Sequence, residues 1–128
     1  MMESDCAEII INLEKSALER WGKGDPSGFL EISAPEVVYF DPFTEFRIDG
    51  LEALKTCYEA IRGQIKADSF RLLNPKVQLA DNVGVLTFNY LSTTDGKEDR
   101  WNCTEVYKNI DGEWKIIQTH WSVTQPFK

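Results

Sequence analysis

Residues 83–123 read VGVLTFNYLSTTDGKEDRWNCTEVYKNIDGEWKIIQTHWSV, and most of this stretch alternates apolar with polar side chains. Asp-Gly pairs stand at 95–96 and 111–112. An Asp-Gly pair between alternating segments is a strong signal for a tight β-hairpin. A further segment of the same kind lies before this stretch, and Ala80-Asp81-Asn82 links the two. The pattern predicts an antiparallel meander of four long strands at 70–79, 83–94, 99–109 and 113–123.

Helical periodicity dominates the first half of the chain. One apolar stripe predicts a first helix over about 4–23, with Ser4 as its N-cap. Asp25-Pro26 predicts the start of a short second helix that ends near 34–35. Asp49 and Glu52 have the spacing of a capping box, which predicts a third helix. The stripes of the first and third helices are Cys6, Ile10, Leu13, Ala17 and Trp21, and Leu51, Leu54, Tyr58, Ile61 and Ile65.

Helices followed by a meander indicate the α+β class in one domain spanning 1–128. One more strand is predicted at 37–40, ahead of an Asp41-Pro42 turn, with a short return strand at 45–48. Strands of roughly ten residues twist and coil. A coiled sheet wrapped around helices forms a cone, and we expect its mouth to admit a small molecule.

The composition narrows the class of partner. The net charge is −7 and the basic residues are scattered, which argues against nucleic acid and against an anionic membrane surface. No apolar run approaches the roughly 20 residues that span a bilayer, and the N-terminus does not resemble a secretory signal. We therefore expect a cytoplasmic protein. One histidine and three dispersed cysteines form no closed ligand set, so we expect no metal and no cofactor.

Several short motifs follow one another in a characteristic order: Trp21-x-x-Gly24-Asp25, Tyr39-Phe40-Asp41-Pro42, Asp49-Gly50-Leu51, Asp111-Gly112-x-Trp114-x-Ile116 and His120-x-Ser122. This order resembles the nuclear transport factor 2-like superfamily over nearly the whole chain. The most similar branches are the SnoaL-like proteins and the association domain of calcium/calmodulin-dependent protein kinase II.

The resemblance implies an α+β conical barrel, in which three N-terminal helices pack on a strongly curved, mostly antiparallel sheet of the cystatin-like type. It also implies a pocket between the helices and the concave sheet, and commonly a dimer. The superfamily contains isomerases, cyclases, epoxide hydrolases and non-catalytic modules, so the fold alone does not assign a function.

Asp41 is the first candidate catalytic residue. Strand alternation places Tyr39 and Asp41 on one face. In ketosteroid isomerase-like proteins the general base occupies a matching Asp-Pro, so the resemblance implies that Asp41 abstracts a proton next to a carbonyl. The position that matches the tyrosine donor of those enzymes is Ala17, where the two patterns differ. The alternative is that Asp41 only caps the Asp-Pro turn.

Glu105 is the second candidate catalytic residue. It shares a strand face with Trp101, Cys103 and Tyr107. The resemblance to the kinase association domain implies that this face points toward the cavity. It also implies that Glu105 occupies the position where that domain has an arginine. Two carboxylates in one cavity can hold different pKa values and divide the acid and base roles. The alternative is an exposed glutamate on a polar strand position.

The candidate ligand-binding residues are mostly aromatic, with a large hydrophobic core as the alternative. They are Trp21, Tyr39, Tyr58, Phe88, Tyr90, Trp101, Cys103 and Trp121.

His120 is the only histidine, and alternation predicts that it points away from the cavity. Trp114, Ile116 and Ser122 share its predicted face, on the convex side of the sheet, where we expect a homodimer to form. The sequence thus predicts a small-molecule-binding homodimer whose ligand bears a ring and is partly apolar. Such a protein could be a cofactor-free isomerase, cyclase or hydrolase, and the alternative is a non-catalytic binding or oligomerisation module.

Overall fold

A computed structural model describes residues 3–124. All four strands of the predicted meander are present, and their ends lie within two residues of the predicted ones. The predicted α+β class, with N-terminal helices on a mostly antiparallel sheet, is confirmed. In chain order the elements are α1 (Glu3–Trp21), α2 (Ser27–Glu31), β1 (Ser33–Phe40), β2 (Ile48–Asp49), α3 (Leu51–Ala60), β3 (Ser69–Ala80), β4 (Val83–Thr94), β5 (Lys97–Ile110) and β6 (Glu113–Val123).

The sheet has six strands in the order β2-β1-β6-β5-β4-β3. β1 runs parallel to β6, and every other neighbouring pair is antiparallel. The sheet is open, because β2 and β3 are its two edges and do not pair with each other. The predicted conical barrel is therefore a mixed sheet that does not close into a cylinder.

The hairpin turns have the geometry that their Asp-Gly pairs require. Asp95 and Gly96 have φ angles of 51° and 79°, and Asp111 and Gly112 have φ angles of 53° and 88°. Two successive positive φ angles define a type I′ turn, which matches the twist of the flanking strands. These two dipeptides thus set the connections of β4, β5 and β6.

The helix ends differ from their prediction. α1 begins at Glu3, so Ser4 lies inside its first turn rather than at the N-cap. Gly50 precedes α3 with a φ of 93° and no side-chain cap, and the Asp49 carboxylate accepts a hydrogen bond from Arg47 instead. The predicted capping box was wrong because Asp49 is part of β2.

A β-bulge in β6 changes which side chains face the core. Val106 pairs with Gln118 but Tyr107 pairs with Ile116, so Ile117 is an extra residue on β6. Trp114 and Ile116 are consequently buried in the chain's own core, at 8% and 1% exposure. The prediction that they lie on the convex face was wrong, because simple alternation fails across a bulge.

The core lies between the inner face of the sheet and the three helices. Ile10 and Leu18 of α1 and Leu54 of α3 are almost fully buried, together with Leu86 and Tyr107 of the sheet. In the described part of the chain, no helix has the length and apolar character to cross a membrane.

Candidate functional site

A cavity of about 480 Å³ lies between the helices and the inner face of the sheet. Three parts of the chain form its rim. They are the loop after β1, the segment after α3, and the ends of β4 and β5 nearest the 95–96 turn. Seven of the predicted site residues line this cavity. They are Trp21, Tyr39, Asp41, Tyr58, Tyr90, Trp101 and Trp121.

Aromatic rings form the wall of the cavity on the helix side. The Trp21 ring meets Tyr58 edge to face at a centroid distance of 5.0 Å, and it meets Phe29 at 5.8 Å. Tyr39 of β1 extends this row through a perpendicular contact of 5.6 Å with Tyr58. Edge-to-face pairs of this kind stabilise one another and hold the rings in fixed orientations.

A second aromatic row forms the opposite wall, on the sheet. Trp121 contacts Tyr90 at 5.5 Å and Trp101 at 6.1 Å, both nearly perpendicular. Phe43, from the loop after β1, contacts Trp101 at 5.9 Å although its own side chain is 80% exposed. The loop therefore reaches the sheet wall across the rim.

The tyrosine hydroxyls of the cavity stay protonated at neutral pH. Burial raises the pKa of Tyr39 and Tyr58 well above their ordinary value, and it raises the pKa of Tyr90 to about 12. A protonated phenol donates a hydrogen bond as well as accepting one. The site thus contains neutral donors among its aromatic surfaces.

Asp41 lines the cavity and also caps the turn that follows β1. Its Oδ1 accepts hydrogen bonds from the backbone N–H groups of Phe43 and Thr44, at 2.8 and 2.9 Å. Its Oδ2 accepts one from the Tyr39 hydroxyl at 2.8 Å. A carboxylate offers about four acceptor positions, so one remains on Oδ2. The Asp41 side chain therefore caps the turn and lines the cavity at the same time.

Glu105 is fully buried behind the cavity wall and does not line the cavity. The alternative of an exposed glutamate is therefore wrong. Phe88 and Cys103 are also buried behind the wall, and Phe88 supports Trp121 at 5.8 Å. Of the predicted site residues, these three support the lining rather than form it.

Glu105 belongs to a buried acidic cluster that includes Glu14 of α1. One ligand atom from each of Glu14, Cys103 and Glu105 lies within 4.8 Å of the others, and both carboxylates are fully buried. The Tyr107 hydroxyl donates a hydrogen bond of 2.6 Å to Glu14 Oε1. Within residues 3–124, Glu14 Oε2 and both oxygens of Glu105 have no hydrogen-bond partner.

One proton bound between the two carboxylates would join two of these three oxygens in a hydrogen bond. Burial raises the pKa of Glu14 to about 7. Burial and the charge of Glu14 raise the pKa of Glu105 well above its ordinary value. Two charged carboxylates at this distance without water repel each other strongly, so the pair holds a proton near neutral pH.

Glu14 is a buried site residue that was not predicted from the sequence. Its position carries a signal, because Glu14 lies four residues after Ile10 and three before Ala17, inside the apolar stripe of α1. A charged residue at such a position is buried with a partner. Carboxylates and a thiol can also bind a metal ion, so the expectation that no metal has a role stays a prediction.

Comparison with known proteins gives the family. Residues 15–126 match the model of the SnoaL-like domain. The chain therefore belongs to the SnoaL-like domain family. No curated protein matches it significantly.

Solved structures extend this result. A protein from Parabacteroides distasonis, described as a candidate ketosteroid isomerase, is 48% identical with a TM-score of 0.87; the match covers 95% of this chain and 90% of that one. A nuclear transport factor 2-like protein of unknown function from Pseudomonas putida is 20% identical, with a TM-score of 0.84 and coverage of 100% and 92%. The association domain of calcium/calmodulin-dependent protein kinase II from C. elegans is 16% identical, with a TM-score of 0.78 and coverage of 94% and 98%. The last two show the shared fold alone.

Proposed function

We propose that this protein binds a ring-bearing, partly apolar small molecule between the two aromatic walls of the cavity. The observation that carries the proposal is the pairing of these walls with a few polar groups at fixed positions, among them Asp41 and Tyr39. Ligand sites have this composition, and their volumes run from about 300 to 1,000 Å³. The cavity volume of about 480 Å³ lies within that range.

Cys57 offers a direct test of binding, because it is exposed and lines the cavity. A library of ring-bearing fragments is screened by tryptophan fluorescence, since three of the four tryptophans line the cavity. We expect the fragments that bind to slow the alkylation of Cys57. The alkylation rate of Cys6, which lies outside the cavity, should stay unchanged. Cys57→Phe should weaken every hit by filling the space. Hits that bind Cys57→Phe as tightly as the parent protein would contradict the proposal.

Proton transfer by Asp41 is the reaction that the site supports best. The remaining acceptor position on Oδ2 can take a proton from a carbon next to a carbonyl, and Tyr39 fixes the carboxylate. The 48% identical relative described as a candidate ketosteroid isomerase supports the same chemistry. A non-catalytic binding module is the second candidate, favoured by the turn amides that already occupy Asp41 Oδ1.

Substitutions of Asp41 separate these two functions. With a β,γ-unsaturated cyclic ketone as substrate, we expect isomerisation to the conjugated ketone, followed by ultraviolet absorbance. Asp41→Asn should reduce the rate by at least about 100-fold, the usual contribution of a general base. Its melting temperature should stay close to that of the parent, because an amide oxygen still caps the turn. Asp41→Ala removes the cap and should cost about 1 kcal/mol of stability. Equal rates in the parent and Asp41→Asn would favour the binding module.

We further propose that the protein is a cytoplasmic homodimer. The three cysteines are free thiols, which is typical of a reducing compartment. The outer face of the sheet, which no helix of the described chain covers, is the proposed contact, and the similar fold of the association domain from C. elegans supports self-association.

A further inference from the structure

We infer that the cavity selects an organic cation, in which an ammonium group is attached to an apolar ring. The inference rests on the proposed small-molecule binding and adds the charge of the ligand. A protonated amine and a quaternary ammonium share the relevant chemistry: a diffuse positive charge with an apolar surface.

The aromatic lining supplies the first part of the argument. Three tryptophans and three tyrosines line the cavity, together with Phe29 and Phe43. A cation within about 6 Å of a ring face is attracted by the ring quadrupole, and tryptophan attracts it most. Trp21 on one wall and Trp101 and Trp121 on the other surround the cavity space, so a central cation would approach several rings at once.

The charged residues of the lining supply the second part. Asp41 and Asp99 line the cavity, and neither forms a salt bridge with another residue between 3 and 124. Lys66 is the one basic residue among the lining residues in this part of the chain. Its ammonium lies 3.5 Å from Asp68 and 3.6 Å from Asp95, two carboxylates outside the lining. The lining therefore has an excess of negative charge.

The buried acidic cluster adds to this field. As the pH rises through about 7, Glu14 loses its proton and the pair gains one negative charge behind the cavity wall. The charges of Glu105, Asp41 and Glu14 all contribute to the raised pKa of Tyr58, which lines the cavity. Burial is the largest cause of that raised pKa, and the three charges add to it; the same charges attract a cation and repel an anion. The net charge of −7 also attracts cations toward the molecule as a whole.

The experiment compares three ligands that share a benzyl group and differ in charge. Benzyltrimethylammonium is the cation, neopentylbenzene is its neutral carbon isostere, and phenylacetate is an anion with the same ring. Dissociation constants are measured by tryptophan fluorescence at pH 7 and low salt. We expect the cation to bind at least about tenfold more tightly than the isostere, and the anion to bind most weakly. Asp41→Asn and Asp99→Asn should each reduce the cation-to-isostere ratio at least about threefold.

Asp81→Asn is the matched control, because it removes the same charge from an exposed turn at the far end of β3 and β4. Asparagine tolerates the positive φ of that position. The control should leave the ratio unchanged. An isostere that binds as tightly as the cation would overturn the charge selectivity and leave the proposed function standing. Absence of binding by all three ligands at millimolar concentration would contradict both.

Discussion

Glu14 and Glu105 are the least ordinary residues of this protein. Their carboxylates are fully buried, and three of their four oxygens have no hydrogen-bond partner among the described residues. Each charged carboxylate would lose its hydration without compensation, so the folded protein favours the form with a proton between them. Loss of that proton therefore destabilises the folded protein.

This protonation predicts a pH-dependent stability. In the unfolded chain the two glutamates titrate near the ordinary value of 4.5. In the folded protein burial raises the pKa of Glu14 to about 7, and burial together with the charge of Glu14 raises the pKa of Glu105 well above 4.5. Between pH 4.5 and about 7 the folded state therefore binds more protons than the unfolded state. The free energy of unfolding should fall as the pH rises through this window, by on the order of 3 kcal/mol. Urea unfolding at intervals from pH 5 to pH 8 measures the slope.

Glu105→Gln removes the repulsion without removing the hydrogen bond between Tyr107 and Glu14. We expect the variant to be more stable than the parent at pH 8 and to show a smaller slope. Glu8→Gln, at an exposed position of α1, is the matched control and should change neither quantity. The same slope in Glu105→Gln and the parent would contradict a shared proton.

Single residues of the site were predictable to different degrees. Alternation on β1 and β5 placed Tyr39 with Asp41 and Cys103 with Glu105, and the structure keeps these pairs on common faces. The sequence could not predict that Glu105 meets Glu14, because the helix and the strand are 91 residues apart and only their packing sets the distance. Nor could it separate residues that line the cavity from those directly behind it.

At the scale of elements, the close contact between α1 and β4 depends on Gly84. A Cβ at this position would lie 2.6 Å from Ile10 Cδ1 and 3.2 Å from Leu79 Cδ2. Real side chains almost never approach so closely, and Ile10 is fully buried, so it has little room to move. Gly84 therefore sets how near the first helix lies to the inner face of the sheet.

Gly84→Ala should lower the free energy of unfolding by about 1–3 kcal/mol, the usual cost of overpacking a core. Ile10→Val removes the Cδ1 methyl that the new Cβ would meet. We expect the double variant Gly84→Ala with Ile10→Val to be more stable than the sum of the single effects predicts. Denaturant unfolding of all four proteins gives the coupling energy. Strictly additive changes in the free energy of unfolding would show that contact with Ile10 is not what destabilises the Gly84→Ala variant.

Elements whose signals are local were predicted well, and those set by packing were not. The Asp-Gly turns and the alternation between them predicted β4 and β6 to the residue. The bulge at Ile117 has no local signal, because it depends on how β6 pairs with β5 on one side and β1 on the other. The predicted side-chain cap of α3 was wrong for a similar reason: Gly50 precedes the helix with a positive φ and no side-chain cap.

At the scale of the whole molecule, the centre of the outer face of the sheet, on β1, β6, β5 and β4, is poor in charge. Three rows of cross-strand neighbours run over these four strands, and none of their members is Asp, Glu, Lys or Arg, whereas Lys76, Arg100 and Lys108 lie on the same face around them. Depletion of charge is typical of the core of a protein interface. The rows are Val85, Val106, Gln118 and Val38; Thr87, Thr104, His120 and Phe40; and Asn89, Asn102 and Ser122.

This face predicts the site of homodimer contact. His120 and Ser122 keep their expected place on it, whereas Trp114 and Ile116 leave it because of the bulge. A stable interface buries about 800 Å² on each partner, so these three rows would form the central part of a larger contact. Light scattering after size exclusion at micromolar concentration should give twice the chain mass of 14.7 kDa.

Val106→Glu places a charge within the proposed contact, where it would lose its water against the partner. We expect this variant to be a folded monomer. Thr56→Glu, at an exposed position of α3, adds the same charge elsewhere and should remain a dimer. Circular dichroism and thermal melting show whether each variant is folded, so that dissociation is not confused with unfolding. A parent protein that stays monomeric at tens of micromolar, or a Val106→Glu variant that stays dimeric, would show that this face is not the contact.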